Sequence, residues 1–246
     1  MTPTYVPSPT SNPSATPPPA PGTFPVAYFA PDFSGPLTRQ FTQQFVTQAS
    51  GYIETTYPAG SSAPSSGHPG GAQAQLALAN GPVDDATLTY KIRFPVGTQF
   101  VKGGKLPGLC GGACWTGSNN GPGGWATRYM WRAGGEGEVL LSDATTTGYG
   151  TDLGRGTGDW SFQADGLWHT ISQHVHMNTP GAADGYVDVS YDGVAVAHFT
   201  GITFRTTSAT RIDSLMFCTF YGGHDSTWAP TVDQHFDFAA FHVTTA

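Results

Sequence analysis

Apolar and polar residues alternate along most of this chain. From Ala86 to Phe94, Leu88, Tyr90, Ile92 and Phe94 fall on one side of an extended backbone, and Thr87, Thr89, Lys91 and Arg93 on the other. A period of two over β-branched and aromatic residues predicts a strand with one buried face. The same period recurs over 50–57, 72–79, 125–132, 138–142, 168–178, 185–191, 194–199, 210–220 and 234–243. Asp165-Gly166, Asp184-Gly185 and Asp192-Gly193 stand between such runs and favour tight hairpin turns. The pattern predicts an all-β fold, a two-sheet antiparallel sandwich or β-jelly roll with a concave groove. Only Thr38–Gln48 offers a helical turn or two. No fixed-period repeat is visible, which argues against a propeller or solenoid.

Composition sets the boundaries. Residues 1–26 are mostly Pro, Ser, Thr and Ala, cannot bury a core, and read as an extended linker or tail. Residues 27–246 are expected to form a single domain, with 33 Gly and 20 Pro in the chain supplying turns. No apolar run approaches the ~20 residues of a membrane helix, and no apolar signal core follows Met1, as expected of a mature or trimmed form. Cys110 and Cys114 are close enough for a small disulfide loop, although three free thiols are equally compatible with the sequence; Cys218, in an apolar run, reads as a buried thiol. A secreted, monomeric protein is the expectation.

Charge changes the picture. The net charge is −7, yet Lys91, Arg93, Lys102, Lys105, Arg128 and Arg132 are six of only ten Lys and Arg. Such a cluster suits a polyanion in an otherwise acidic protein. Nucleic acid is not an expected partner, because the chain lacks a basic tail, and phosphate-loop and dinucleotide motifs are absent. Along 124–132, alternation puts Trp125, Thr127, Tyr129 and Trp131 on one face and Ala126, Arg128, Met130 and Arg132 on the other. The arginine face is either a carboxylate-binding groove or a solvated outer surface.

Several ordered motifs carry a resemblance. They are Tyr-Pro-Ala-Gly-Ser (57–61), Gly-Gly-Lys-Leu-Pro-Gly-Leu-Cys-Gly-Gly (103–112), Arg-Tyr-Met-Trp-Arg (128–132), Gly-Arg-Gly (154–156), the run 168–178 and Phe-Tyr-Gly-Gly-His-Asp-Ser-Thr-Trp-Ala-Pro (220–230). From about residue 50 onward the chain resembles the polysaccharide lyases of family 14 and the related glucuronan lyases of family 20. The resemblance implies a jelly roll whose groove holds an acidic polysaccharide, such as alginate or glucuronan, and cleaves it by β-elimination without a cofactor. By the same resemblance, Lys105 matches the functional lysine and Arg128 the arginine that engages the substrate carboxylate.

Where the family carries a Tyr-x-Tyr pair this chain has Leu140 and Ser142, and Ala126 replaces a serine. Tyr149 is the nearest substitute in sequence and joins Lys105 and Arg128 as a catalytic candidate. Arg132, Gln173, Lys102 and His224 are candidates for substrate binding, Gln173 because it shares inward parity with Ile171 and Val175. No metal-ligand set has motif spacing: His174 and His176 would be half a site without a third ligand. An Asp-rich turn would also suit a structural calcium ion. Two rival functions remain open in the sequence. A glycoside hydrolase would need paired carboxylates, for which Glu136 and Glu138 are the candidates. A non-catalytic carbohydrate-binding protein could stack sugars on Trp115, Trp125, Trp131 or Trp228.

Overall fold

The computed structural model describes residues 23–114, 123–146 and 148–245. Fourteen strands are present among them: β1 (Phe33–Phe41), β2 (Val46–Ala49), β3 (Tyr52–Tyr57), β4 (Ala72–Leu78), β5 (Asp85–Arg93), β6 (Gly103–Gly112), β7 (Gly124–Arg132), β8 (Gly137–Ser142), β9 (Thr151–Leu153), β10 (His169–His176), β11 (Gly185–Tyr191), β12 (Val194–Ile202), β13 (Ser214–Tyr221) and β14 (Gln234–Thr245). They form two seven-stranded sheets in the orders β1-β4-β13-β6-β7-β8-β9 and β12-β11-β10-β5-β14-β3-β2. Every ladder is antiparallel. This is the expected jelly roll. No helix among the described residues is long and apolar enough to cross a membrane.

The inner faces of the two sheets make the core. Leu88, Tyr90 and Ile92 of β5 meet Trp125, Tyr129 and Trp131 of β7 within one buried cluster. Fully burying each such aromatic is worth ~1.5–3 kcal/mol. Trp131 Nε1 donates to Phe100 O at 3.0 Å, so the indole enters the core without an orphaned donor. Phe24 is also buried, stacked on Phe29, which brings the domain's packing into the stretch read from sequence as linker. The rest of that stretch, residues 1–22, lies outside the described residues, as does Trp115.

One local expectation is corrected, and one strand appears where alternation predicted none. Thr38–Gln48 holds no α-helix: β1 occupies its first part, followed by a short 3-10 turn at Gln43–Phe45 and then β2. The Gly-rich run 103–112, in which no alternation is visible, is a central strand. Its glycines are there because neighbouring chains leave no room for a side chain. A Cβ on Gly108 would fall on the Thr127 carbonyl, and one on Gly104 on the Trp131 ring.

Histidine–aspartate pairs line the outer face of the second sheet at His174, His176 and His198, and a further one stands at the start of β10. Imidazole His169 lies 2.6 Å from Asp192 Oδ2 and 3.1 Å from Asp165 Oδ1. Burial pulls the His169 pKa down, but the two carboxylates outweigh it and hold it above the ordinary imidazole value. Desolvation works against Asp192 too, yet His169 keeps its carboxyl below the ordinary range. The His169 contribution is therefore complete below pH ~6.5 and lost as pH rises through its folded value. That of Asp192 is present above pH ~4 and lost as pH falls through its folded value. The gap in thermal midpoint between wild type and His169→Gln is expected to be widest between about pH 4 and 6.5 and to narrow on both sides. A gap that grows from pH 6 to 8 would contradict the pairing.

Candidate active site

A groove of about 770 Å³ runs across the outer face of the first sheet. Its floor follows from register. Lys105 on β6 pairs with Met130 on β7, and after a bulge at Pro107, Gly108 pairs with Arg128. On the far side Leu140 of β8 pairs with Arg128 and Glu138 with Met130, while Asp152 of β9 pairs with Leu140. Lys105, Arg128, Met130, Arg132, Leu140 and Asp152 thus line the floor. Alternation in β7 selects this set, since Trp125, Tyr129 and Trp131 are committed to the core.

Two loops build the walls. After β13, Gly222 and Gly223 let the chain fold back over Trp228; a Cβ on Gly223, at φ +71°, would collide with that indole. Asp225 accepts from Thr227 N at 2.8 Å, capping the turn Ser226–Trp228. His224 enters the groove from this loop. Opposite, Asp143 Oδ1 accepts from the backbone N–H of Thr145 and Thr146, organising the β8–β9 connection. Gly150, at φ +132°, lies so close over Leu140 that a Cβ would sit 2.7 Å from Leu140 Cδ1. Tyr149, two-thirds exposed, is carried with it to the groove, its ring centroid 6.2 Å from that of His224.

Charge in the groove is unevenly compensated. Arg132 is held by Glu138 Oε1 at 2.6 Å and Asp152 Oδ2 at 3.0 Å, and Asp152 also takes Arg155 at 2.7 Å. Arg128 is 2% exposed and has no carboxylate partner among the described residues. Its Nη1 approaches Cys218 Sγ at 3.8 Å and its Nε has no hydrogen-bond partner. Lys105 Nζ lies 2.7 Å from Met130 Sδ. Desolvation, and then the nearby Arg128 guanidinium, lower the Lys105 pKa to about 7. Desolvation pushes the Glu138 carboxyl up against the pull of Arg132.

The structure therefore brings Lys105, Arg128, Arg132, Tyr149 and His224 together. Lys102 stands at the rim, donating to Thr227 Oγ1 at 2.6 Å with its ammonium 5.8 Å from the Trp228 ring centre. Gln173 is not in the groove. It lies between the sheets, where its Oε1 accepts from Thr127 Oγ1 at 2.7 Å and Leu109 N at 3.2 Å. Inward parity was right for Gln173, but inward here means the core. The apparent six-cation cluster also divides, because Lys91 and Arg93 belong to β5 in the other sheet.

Neither Glu136 nor Glu138 lines the groove; Glu136 instead accepts from Gly156 N at 2.5 Å. His174 and His176 are taken by Asp85 and Asp188 on the outer face of the second sheet. Cys110 and Cys114 form a disulfide, and Cys218 is a buried free thiol. Sequence reasoning missed Met130 and Asp152 as groove residues. The parity of Met130 with Arg128 was its available signal.

Among the described residues, a lysine and an arginine without carboxylate partners lie along this groove of the jelly roll, an arrangement that suits a negatively charged ligand. The chain belongs to the polysaccharide lyase 14 family, whose model matches residues 46–241. It is similar to the marine PL-14 alginate lyase from Aplysia kurodai, with 26% identity over 90% of this chain and 93% of that one and a TM-score of 0.78. A mutant of the alginate lyase Aly36B in complex with alginate tetrasaccharide matches at 21% identity over 84% and 85%, with a TM-score of 0.72. The endo-beta-1,4-glucuronan lyase from the fungus Trichoderma reesei shares the fold at 10% identity over 85% and 88%, TM-score 0.54. No curated protein sequence matches the chain. The protein is a polysaccharide lyase.

Proposed function

We propose that the protein is a secreted lyase that cleaves a uronan such as alginate or glucuronan by β-elimination at Lys105 and Arg128. The carrying observation is a lysine whose pKa is lowered to about 7 beside a buried arginine without a carboxylate partner. Elimination begins with removal of the proton at C5, next to the uronate carboxylate. The neutral amine of Lys105 takes that proton, and Arg128 binds the carboxylate onto which negative charge spreads. The electron pair forms the C4=C5 double bond as the C4–O4 bond breaks. Tyr149 donates a proton to the departing O4, and solvent returns protons to their starting places. No water is added across the bond and no oxidant is needed. The disulfide Cys110–Cys114 supports an oxidising, extracellular setting.

A polymer panel tests this reading. Glucuronan, alginate, its mannuronate and guluronate blocks, and neutral β-glucans are each incubated with the protein. Ultraviolet absorbance of unsaturated uronates and reducing ends are followed together. Both signals are expected to rise on a uronan and neither on the neutral glucans. Reducing ends without absorbance would mean hydrolysis and defeat the elimination mechanism.

Tyr149 has its own test. The loop that packs over Leu140 carries Tyr149 into the groove, with its ring near His224. Tyr149→Phe is expected to lower kcat by ~10²-fold while changing KM little. An unchanged kcat would remove Tyr149 from the chemistry and leave His224, its neighbour, as the donor.

A further inference from the structure

On the outer face of the second sheet, β14 places Asp237 directly opposite Glu54 of β3, with His235 two residues before it on the same face. Like charges directly opposite one another repel. Arg93, paired from β5, compensates only part of this, because its Nε and Nη2 both go to Asp237 Oδ2, at 2.8 and 2.7 Å. Tyr52 and Trp168 hold that guanidinium on its own side, with ring centres 5.2 and 4.6 Å away. The other oxygen, Asp237 Oδ1, is buried without a hydrogen-bond partner, in a residue only 1% exposed. An unpartnered buried carboxylate oxygen is costly. One donor atom each from Glu54, His235 and Asp237 lies within 4.8 Å of the other two. A cleft of about 340 Å³ opens onto Glu54 and His235, so ions and water can reach them.

We propose that Glu54, His235 and Asp237 bind a divalent cation of the zinc class. Two carboxylates and an imidazole are a borderline donor set; calcium and magnesium take oxygen ligands almost exclusively. Three protein ligands leave room for water to complete the shell. The cation gives Asp237 Oδ1 its missing partner, offsets the repulsion from Glu54 and ties β3 to β14. Its ligands come from opposite ends of the chain, so no sequence motif announces them. The site lies on the other sheet from the groove, and the elimination chemistry does not depend on it.

The test uses full-length, tag-free protein treated with chelator and dialysed. It is titrated by calorimetry with zinc chloride and, separately, calcium chloride, and melted with and without each ion. One zinc per chain is expected, with the thermal midpoint rising by about 5 °C when zinc is a hundredfold above its Kd, and little response to calcium. His235→Ala, at an exposed position, and Glu54→Gln should each weaken zinc binding at least tenfold. His198→Ala, which removes another histidine of the same sheet, should leave it unchanged. Failure to bind zinc, zinc binding that survives His235→Ala, or a preference for calcium would overturn the assignment.

Discussion

Replacing Lys105 with methionine is expected to lower kcat on the uronan substrate by about 10³-fold, the range a positioned general base supplies, while leaving polymer binding largely intact. The wild-type pH profile provides the second half of the expectation. In the proposed mechanism the reactive form is the neutral amine of Lys105, whose pKa is lowered to about 7, by desolvation first and by Arg128 second. The kcat/KM should therefore fall about tenfold per pH unit below pH 7 and level off above it. Stability separates this loss from misfolding. A lysine whose folded pKa is depressed destabilises the fold most below that value, and the cost fades as pH rises toward the unfolded value near 10.4. Lys105→Met should therefore melt higher than wild type at pH 6, with the advantage shrinking by pH 9. A variant that is inactive but also less stable at pH 6 would mean that Lys105 is structural. A wild-type profile flat from pH 5.5 to 8 would take proton removal away from it.

How much of this was readable before folding depends on whether a residue's neighbours show in its own sequence. β7 was legible, because alternation alone separates Trp125, Tyr129 and Trp131 from Arg128, Met130 and Arg132. β6 was not. Gly103, Gly104, Gly108, Gly111 and Gly112 have no side chains with which to show a period, and Pro107 reads as a turn. The cause of those glycines, the close approach of β7 and of chain near Arg211, exists only once the sheet is assembled. Lys91 and Arg93 mislead in the opposite way, since they are close to Lys102 in sequence but face outward from the other sheet. Gln173 shows a limit of parity, which distinguishes two faces of a strand but not a core from a groove. That Leu140 and Ser142 are not tyrosines is plain in the sequence; that Gly150 packs over Leu140 and Tyr149 lines the same groove is visible only in the fold.

Arg128→Gln is expected to lower kcat/KM on the uronan by about 10²–10³-fold, the scale of losing one donor that stabilises transition-state charge. Two further consequences identify the charge as the cause. Arg128 is 2% exposed and has no acid partner among the described residues, so its charge is available to a substrate carboxylate, whereas Arg132 is already held by Glu138 and Asp152. The wild type should therefore prefer a uronan over its methyl ester, and Arg128→Gln should lose most of that preference. Arg132→Gln should instead keep the preference and lose stability, because it leaves Glu138 buried without its cation. The second consequence is electrostatic coupling within the site. Arg128 is one cause of the lowered Lys105 pKa, so removing it lets that pKa rise. The residual activity of Arg128→Gln should then show its acidic limb displaced to higher pH than in wild type. A limb that stays at pH 7 would mean that the titrating base is not beside Arg128. A limb displaced while the ester preference persists would mean that Arg128 tunes the base without holding the carboxylate.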